Sequence, residues 1–147
     1  MNVNNCVSDF QYIGSSLKQL NVNNDFIYLS EQEWEDSIPN IDVKYSIEEV
    51  ARNDEDENMF GVINLYLSIE IEVNNRSIDV SLTLQGCFTS KNPNEEEFKS
   101  LLALNGCTAL YSIARSIIIS TLSQCFSGHQ IILPMINVFK LLEEDEL

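Results

Sequence analysis

The clearest pattern in the chain is an alternation of apolar and polar positions through two consecutive stretches. Every second residue is apolar from Ile63 to Val73, and the same alternation returns from Ile78 to Leu84. The short segment Asn74-Asn75-Arg76-Ser77 lies between them, and asparagine tolerates the positive φ of a tight turn. A period of two indicates strands with one buried face. This region is therefore predicted to be an antiparallel hairpin.

Weaker patterns predict two further strands. Ile41 to Glu48 alternates in the same way, and a long, irregular first strand is predicted from Phe10 through Gly14 to Val22. The stretch from Phe26 to Trp34 leads into an acidic loop, and Asn53 to Asn58 is a solvated connection. Gly86, close to the end of the hairpin, is interpreted as a β-bulge.

After Pro93 the apolar positions follow a helical period. Asn94 caps a first helix that ends at Asn105-Gly106, and a long helix follows from Cys107 to Phe126. Ser127-Gly128-His129 ends the long helix, and a short amphipathic helix follows Pro134. Four strands followed by three helices predict a single α+β domain over residues 1–147, with the helices packed on one face of a four-stranded antiparallel sheet.

The long helix is apolar around most of its circumference, apart from Arg115 and a narrow stripe of serines. One sheet covers only one flank of such a helix. The other flank predicts a second helix layer or a second subunit packed against the stripe. The residues predicted to lie at an oligomer interface are Ser112, Arg115, Ser116, Ser120 and Ser123.

The net charge of the chain limits the kinds of partner that it can bind. The 147 residues carry 8 Lys and Arg against 23 Asp and Glu, which gives a net charge of −15 at pH 7. Binding to nucleic acid or to an anionic membrane needs clustered basic residues, so both partners are excluded. Acidity favours solubility and cationic or unfolded basic partners. Arg115 and the serines interrupt the apolar run at Ile117, so no direct membrane insertion is expected.

The four cysteines, Cys6, Cys87, Cys107 and Cys125, form no CxxC pair and are predicted to be reduced and structural. Met1 to Phe10 has neither the basic start nor the apolar core of a signal peptide. Both features predict a cytoplasmic protein.

No pattern in the chain indicates catalysis. His129 is the only histidine and lies in a predicted surface turn, which excludes a histidine-rich metal site. Glu70 and Glu72 lie on a predicted solvent face, with no cleft to raise a carboxyl pKa. Nucleophile-elbow, P-loop and dinucleotide motifs are missing. We therefore expect no enzymatic activity, no metal and no cofactor. Trp34, the sole tryptophan, either closes an edge of the core or lines an apolar groove.

Short motifs in this order and spacing resemble the SecB export-chaperone family over nearly the whole chain. Ala114-Arg115 falls where that family has Ala-Arg in its long helix. The other matching residues are Phe10-Gln11, Trp34, Gln85-Gly86-Cys87-Phe88, and Gln130 through Leu142 with Pro134 and Asn137 in register.

The resemblance implies a dimer of dimers and an ATP-independent holdase, which binds non-native polypeptides in long apolar grooves and keeps them unfolded, in some cases for export. Many weak apolar contacts repeated on several subunits give avidity, and a high negative charge keeps such a surface soluble. The family's client groove corresponds here to Trp34, Val43, Tyr45, Ile47, Val138 and Leu141, each of which would otherwise be an ordinary core residue.

The chain also departs from the family. The carboxylates that dock the export ATPase SecA correspond to Gln19, Asn23 and Ser81, and Ser112-Ile113 replaces the family's Pro-Tyr. Coupling to SecA is therefore doubtful, although Glu70, Glu72 and Asp79 could form a displaced acidic patch. Three hypotheses follow: a general holdase, a dedicated chaperone that protects the antitoxin of a toxin–antitoxin pair, and an oligomeric adaptor for a folded partner.

Overall fold

The structure, a computed structural model, describes residue 2 and residues 7–91, 94–125 and 129–144. A four-stranded antiparallel sheet in the order β1-β4-β3-β2 lies at its centre. The predicted α+β class is confirmed. The strands are β1 (Phe10–Asn24), β2 (Asn40–Arg52), β3 (Met59–Val73) and β4 (Arg76–Ser90). The helices are α1 (Glu31–Asp36), α2 (Glu95–Leu101), α3 (Cys107–Leu122) and α4 (Val138–Glu144).

The predicted hairpin is formed by β3 and β4. The two strands stay in register from Met59 opposite Ser90 to Val73 opposite Arg76. Asn74 and Asn75 turn the chain with φ values of 51° and 61°, which asparagine adopts at lower cost than branched or bulky residues. The central pair of the sheet is therefore its most regular part.

The edge strands are irregular. The register of β1 against β4 shifts between Tyr12 and Gly14 and again after Leu17, and that of β2 against β3 shifts after Ile47. The bulge predicted at Gly86 is wrong, because Gly86 pairs in continuous register with Ile63. Bulges on edge strands increase their twist and discourage pairing with other chains.

The core lies between one face of the sheet and α3, and two sheet glycines set their separation. A Cβ atom on Gly86 would lie 2.7 Å from Leu110 Cδ2, and one on Gly61 would lie 2.6 Å from Leu102 Cδ2. Without side chains at these positions, the helix layer approaches the backbone of the sheet. The largest fully buried side chains are Phe88, Phe98, Met59, Ile63, Leu65, Ile69, Ile71, Ile78, Leu82, Leu84, Leu102 and Leu110.

The helix end predicted at Asn105-Gly106 is wrong. Helices α2 and α3 are joined without a break by a π-helical turn, Leu102–Gly106. Gly106 has helical angles, φ −62° and ψ −50°, and is buried with Ile63 Cγ2 3.3 Å from the place of a Cβ. This glycine allows close packing and does not terminate a helix.

A further short helix stands where the acidic loop was predicted. Ser30 caps α1: its side chain accepts a hydrogen bond from the Glu33 backbone N–H at 3.2 Å, and the Glu33 carboxylate accepts one from the Ser30 backbone N–H at 2.9 Å. The spacing Ser-x-x-Glu is a capping box. This signal was present in the sequence.

Helix α3 ends at Leu122 and a turn runs through Cys125; the helix end predicted at Phe126 lies outside the described residues, as do Ser127, Gly128, Cys6 and Pro93. Among the described residues, Cys87, Cys107 and Cys125 form no disulfide. In the described part of the chain one helical segment, Glu95–Leu122, has the length and composition to cross a membrane. Its buried side packs on the sheet, as expected for a core helix.

Candidate binding groove

The residues predicted to form a groove divide between an edge strand and two helices. Val43 and Tyr45 lie opposite Leu67 and Leu65, so they share the helix-covered face of the sheet. Both are partly buried against the core. Ile47 lies further along β2 beside the bulge and is 36% exposed. The side chains of β2 on this face are therefore less completely covered than those of the central strands.

The first turn of α1 brings Trp34 to the same side. The capping box fixes the start of α1, and Trp34 follows one residue after Glu33. The hydrogen bond from the Ser30 backbone lowers the pKa of the Glu33 carboxyl, with further lowering by Arg76, whose Nη2 lies 3.4 Å from Glu33 Oε1. Trp34 is partly buried against the core cluster. The capped first turn of α1 therefore places the Trp34 ring at the margin of the core.

An open cavity of about 250 Å³ lies beside Trp34. We call it the Trp34 pocket. Apolar side chains dominate its lining, so a side chain from another polypeptide would lose water-exposed apolar area there. The lining residues are Trp34, Ser37, Pro39, Ile41, Gln130, Ile131 and Ile132.

The His129 ring lies against Trp34. The two ring centroids are 5.0 Å apart and the ring planes are inclined by 21°. The imidazole is partly buried. Trp34, which lines the pocket, therefore contacts a residue that lies far away in the sequence.

Two hydrogen bonds from α3 hold the segment that forms the other wall. The Tyr111 hydroxyl donates to the Pro134 carbonyl at 2.6 Å, and Arg115 Nε donates to the Leu133 carbonyl at 3.1 Å. Burial raises the pKa of Tyr111, and the charge of Arg115 opposes that shift. Arg115 Nη1 also lies 3.0 Å from Met135 Sδ. The segment 129–137 thus covers part of the surface of α3 that the sheet leaves open, on the side of Tyr111 and Arg115.

Several apolar side chains of segment 129–137 and of α4 are exposed to solvent. Ile132, Met135 and Phe139 are 62%, 81% and 64% exposed. Val138 is buried and Leu141 is partly buried, both on α4. The structure places Trp34, Val43, Tyr45 and Val138 against the core cluster, with Ile47 and Leu141 at its margin. Sequence reasoning missed His129, Ile131 and Ile132, because no local pattern places a turn residue against a distant ring.

The serine stripe lies on the exposed side of α3. Ser112 Oγ donates to the Thr108 carbonyl at 3.0 Å and Ser123 Oγ to the Ser120 carbonyl at 2.9 Å. Ser116 and Ser120 are also exposed. The Ser112 and Ser123 hydroxyls therefore donate to nearby backbone carbonyls of the same segment, and the stripe presents small side chains to solvent.

The face of the sheet away from the helices is polar. Asn23 and Ser81, two positions where the resembled family has SecA-docking carboxylates, line a shallow concavity of about 530 Å³ with Glu70 and Asp79. Gln19 lies opposite Thr83 on the same face. Amides and hydroxyls thus separate the carboxylates here. Within the described residues no group of three or more His, Cys, Asp and Glu side chains has the arrangement of a metal site.

The fold is similar to that of a solved chaperone. The SecB-like chaperone Rv1957 of Mycobacterium tuberculosis, solved in complex with a ChAD peptide from the Rv1956 HigA1 antitoxin, superposes with a TM-score of 0.62 at 14% sequence identity. The match covers 87% of this chain and 91% of that one. A Streptococcus agalactiae protein of unknown function matches at a TM-score of 0.50 and 12% identity, over 86% of this chain and 97% of that one.

No family model matches the sequence, and no curated protein matches it. The structural likeness shows the fold: the chain is a divergent example of the SecB-like fold. The resemblance inferred from the motifs is confirmed at that level.

Proposed function

We propose that the chain is an ATP-independent chaperone that holds one dedicated non-native polypeptide, the antitoxin of a toxin–antitoxin pair. Support comes from the likeness to Rv1957, whose structure contains an antitoxin peptide. The observation that carries the proposal is an open apolar pocket beside Trp34 within the same fold.

The proposed client surface begins at the Trp34 pocket and continues along the edge of the sheet and the last helix. Val43, Tyr45 and Ile47 supply apolar contacts from β2, and Val138 and Leu141 supply them from α4. The exposed Ile132, Met135 and Phe139 extend that surface. Each contact is weak and non-directional, which suits an extended client without a fixed shape. Binding holds the client and makes or breaks no covalent bond, so no catalytic group, metal or cofactor is needed.

The assembly we propose is a dimer of dimers in the cytoplasm. Ser112, Arg115, Ser116, Ser120 and Ser123 are the proposed interface residues. The small serine side chains of this stripe, two of which donate to backbone carbonyls of their own segment, allow close approach of a second helix. Several subunits repeating one weak surface would raise the apparent affinity for a single long client.

The outer face of the sheet favours a dedicated client over export. Gln19, Asn23 and Ser81 carry no charge where the resembled family has carboxylates, so a basic docking segment would gain less electrostatic attraction there. We therefore propose that the chain acts without SecA.

A general holdase is the second candidate, and the wide spread of exposed apolar side chains favours it. The two functions differ in client range. Purified chain would be mixed at equimolar subunits with any antitoxin that the neighbouring genes encode and, separately, with several unrelated denatured proteins, and aggregation would be followed by light scattering. We expect protection of the antitoxin alone. Equal protection of all clients would establish the general holdase, and protection of none would refute both.

The site is tested by Trp34→Ala, with Tyr66→Ala as the control. Removing a partly buried indole at the centre of a binding surface is expected to weaken client binding by about tenfold or more. Tyr66 is an exposed aromatic residue on the outer face of the sheet, so its loss should leave the affinity unchanged. Binding would be measured by isothermal titration calorimetry, with circular dichroism to confirm the fold. Unchanged affinity for a folded Trp34→Ala variant would place the client elsewhere and favour an adaptor role.

A further inference from the structure

Residues 25–39 connect β1 to β2 and include α1, and we call them the α1 segment. The segment supplies three of the seven lining residues of the Trp34 pocket, namely Trp34, Ser37 and Pro39. None of the six residues of α1, all of which the structure describes, is fully buried. Core packing therefore holds α1 less firmly than it holds the central strands, and the shape of the pocket depends on what else fixes the segment.

The start of the α1 segment is tied to the tip of the β3–β4 hairpin. The Asp25 backbone N–H donates to the Ser77 carbonyl at 3.1 Å, and the Ser77 backbone N–H donates to Asp25 Oδ2 at 3.4 Å. Phe26 follows and is buried in the core. The guanidinium carbon of Arg76 lies 4.6 Å from the centre of the Phe26 ring, a position in which a cation is attracted to an aromatic face.

Arg76 also contacts the first turn of α1. Its Nη2 lies 3.4 Å from Glu33 Oε1, and Glu33 Oε2 accepts a hydrogen bond from the Ser30 backbone N–H at 2.9 Å. Glu33 directly precedes Trp34 in the helix. One guanidinium at the hairpin tip therefore contacts both the buried ring at the start of the α1 segment and the capping carboxylate beside Trp34.

We propose that Arg76 is a positioning residue for the Trp34 pocket: it fixes the α1 segment to the hairpin tip and thereby holds Trp34 in the wall of the pocket. Among the described residues Arg76 does not line the pocket, so it acts through Glu33 and Phe26. The side chains of Arg76 and Glu33 are 44% and 27% exposed, and exposed ion pairs contribute little to global stability. Loss of Arg76 should therefore change the pocket more than it changes the stability of the fold.

The first test compares the wild-type chain with Arg76→Ala and Glu33→Gln. Glutamine removes the ion pair but keeps a side-chain oxygen for the Ser30 backbone N–H. Lys44→Ala is the matched control, because Lys44 also pairs with a carboxylate, that of Asp42 at 3.3 Å, but lies on the outer face of the sheet.

Trp34 is the only tryptophan of the chain, so acrylamide quenching of tryptophan fluorescence measures its exposure without any client. We expect the quenching constant to rise about twofold in Arg76→Ala, and by less in Glu33→Gln, because the α1 segment opens more often. Lys44→Ala should match the wild-type chain. Urea unfolding followed by circular dichroism should give nearly the same midpoint for all four proteins.

The second test concerns client binding, for which the inference rests on the proposed function. The polypeptide that the wild-type chain protects in the light-scattering assay would be titrated by calorimetry. We expect Arg76→Ala to bind it about threefold more weakly than the wild-type chain. In the double variant Trp34→Ala/Arg76→Ala, the loss should be no larger than in Trp34→Ala alone, because the two residues act through one contact surface.

Unchanged quenching in a folded Arg76→Ala variant, or an equal change in Lys44→Ala, would overturn the inference alone. Additive losses of affinity in the double variant would also overturn it, because Arg76 would then affect the client by another route. In both cases the proposed function would stand if Trp34→Ala still lost client binding. If Arg76→Ala fails to fold, the quenching of Glu33→Gln decides the inference in the same way. If the wild-type chain protects no polypeptide, the proposed function fails, and the quenching result still decides whether Arg76 holds Trp34 in place.

Discussion

The two faces of the sheet are built from the same strands and have opposite physical roles. Leu65, Leu67 and Ile69 point to α3 and are buried, whereas the intervening Tyr66 and Ser68 point to water. The outer face carries a row of hydrogen-bonded polar side chains: Gln85 Nε2 donates to Asn64 Oδ1 at 3.0 Å, and the Tyr66 hydroxyl lies 3.2 Å from Ser46 Oγ. Burial stabilises one face strongly, and water competes for every bond on the other.

The candidate site belongs to neither face in full. It lies at the margin of the helix-covered face, where the side chains of β2 are only partly buried and where α1, segment 129–137 and α4 contribute the other residues. Apolar residues at such a margin are partly buried in the free chain and can gain further burial from a partner. The fully buried residues of the helix-covered face therefore stabilise the fold, and the partly buried residues at its margin are available for binding.

The largest effect is expected from a pair of neighbours on β4. Leu84 is 1% exposed under α3, so Leu84→Ala should lower the free energy of unfolding by about 3 kcal/mol through lost burial and a cavity. Thr83 faces outward, and Thr83→Ala should change the free energy of unfolding by less than about 1 kcal/mol. Urea unfolding followed by circular dichroism measures both. Similar losses at the two positions would contradict the division between the faces.

An intermediate effect on stability is expected from removal of the Tyr111 hydroxyl. Tyr111→Phe removes the bond to the Pro134 carbonyl in a partly buried setting and should destabilise the chain by about 1 kcal/mol. It should also loosen segment 129–137, visible as faster hydrogen exchange there. Tyr66→Phe removes an exposed hydroxyl from the outer row and serves as the matched control, with no measurable loss. A Tyr111→Phe variant with unchanged exchange would show that the segment is held by packing alone.

The smallest effect concerns pH and the start of α1. The pKa of Glu33 is lowered in the folded chain, so its contribution to stability is present above the unfolded value, about 4.3, and is lost as pH falls through the folded value. Unfolding of Glu33→Gln and wild type would be compared from pH 7 to pH 3. The difference in stability between them should shrink on acidification below about pH 4.5. A difference that is constant over this range would exclude the carboxylate as its cause.

How much of this fold the sequence predicts depends on the range of each interaction. Neighbouring residues predict the β3–β4 hairpin, its asparagine turn and the Asn94 cap of α2, because period and capping are local properties. The capping box of Ser30 and Glu33 was equally local, and α1 was predictable from it. The end of α2 was not predictable in this way. A glycine such as Gly106 can terminate a helix or allow it to pack closely against Ile63, and the local sequence is the same in both cases.

Local patterns were enough to predict the α+β class, the order of the four strands and the later helices, and the SecB-like resemblance, since alternation, helical period and short motifs depend on consecutive residues. The folded chain was needed to show which apolar residues are core and which line the Trp34 pocket, where the bulges lie, and that His129 stacks on Trp34. Those outcomes depend on contacts between segments far apart in the chain, and such contacts leave no periodic trace in either segment.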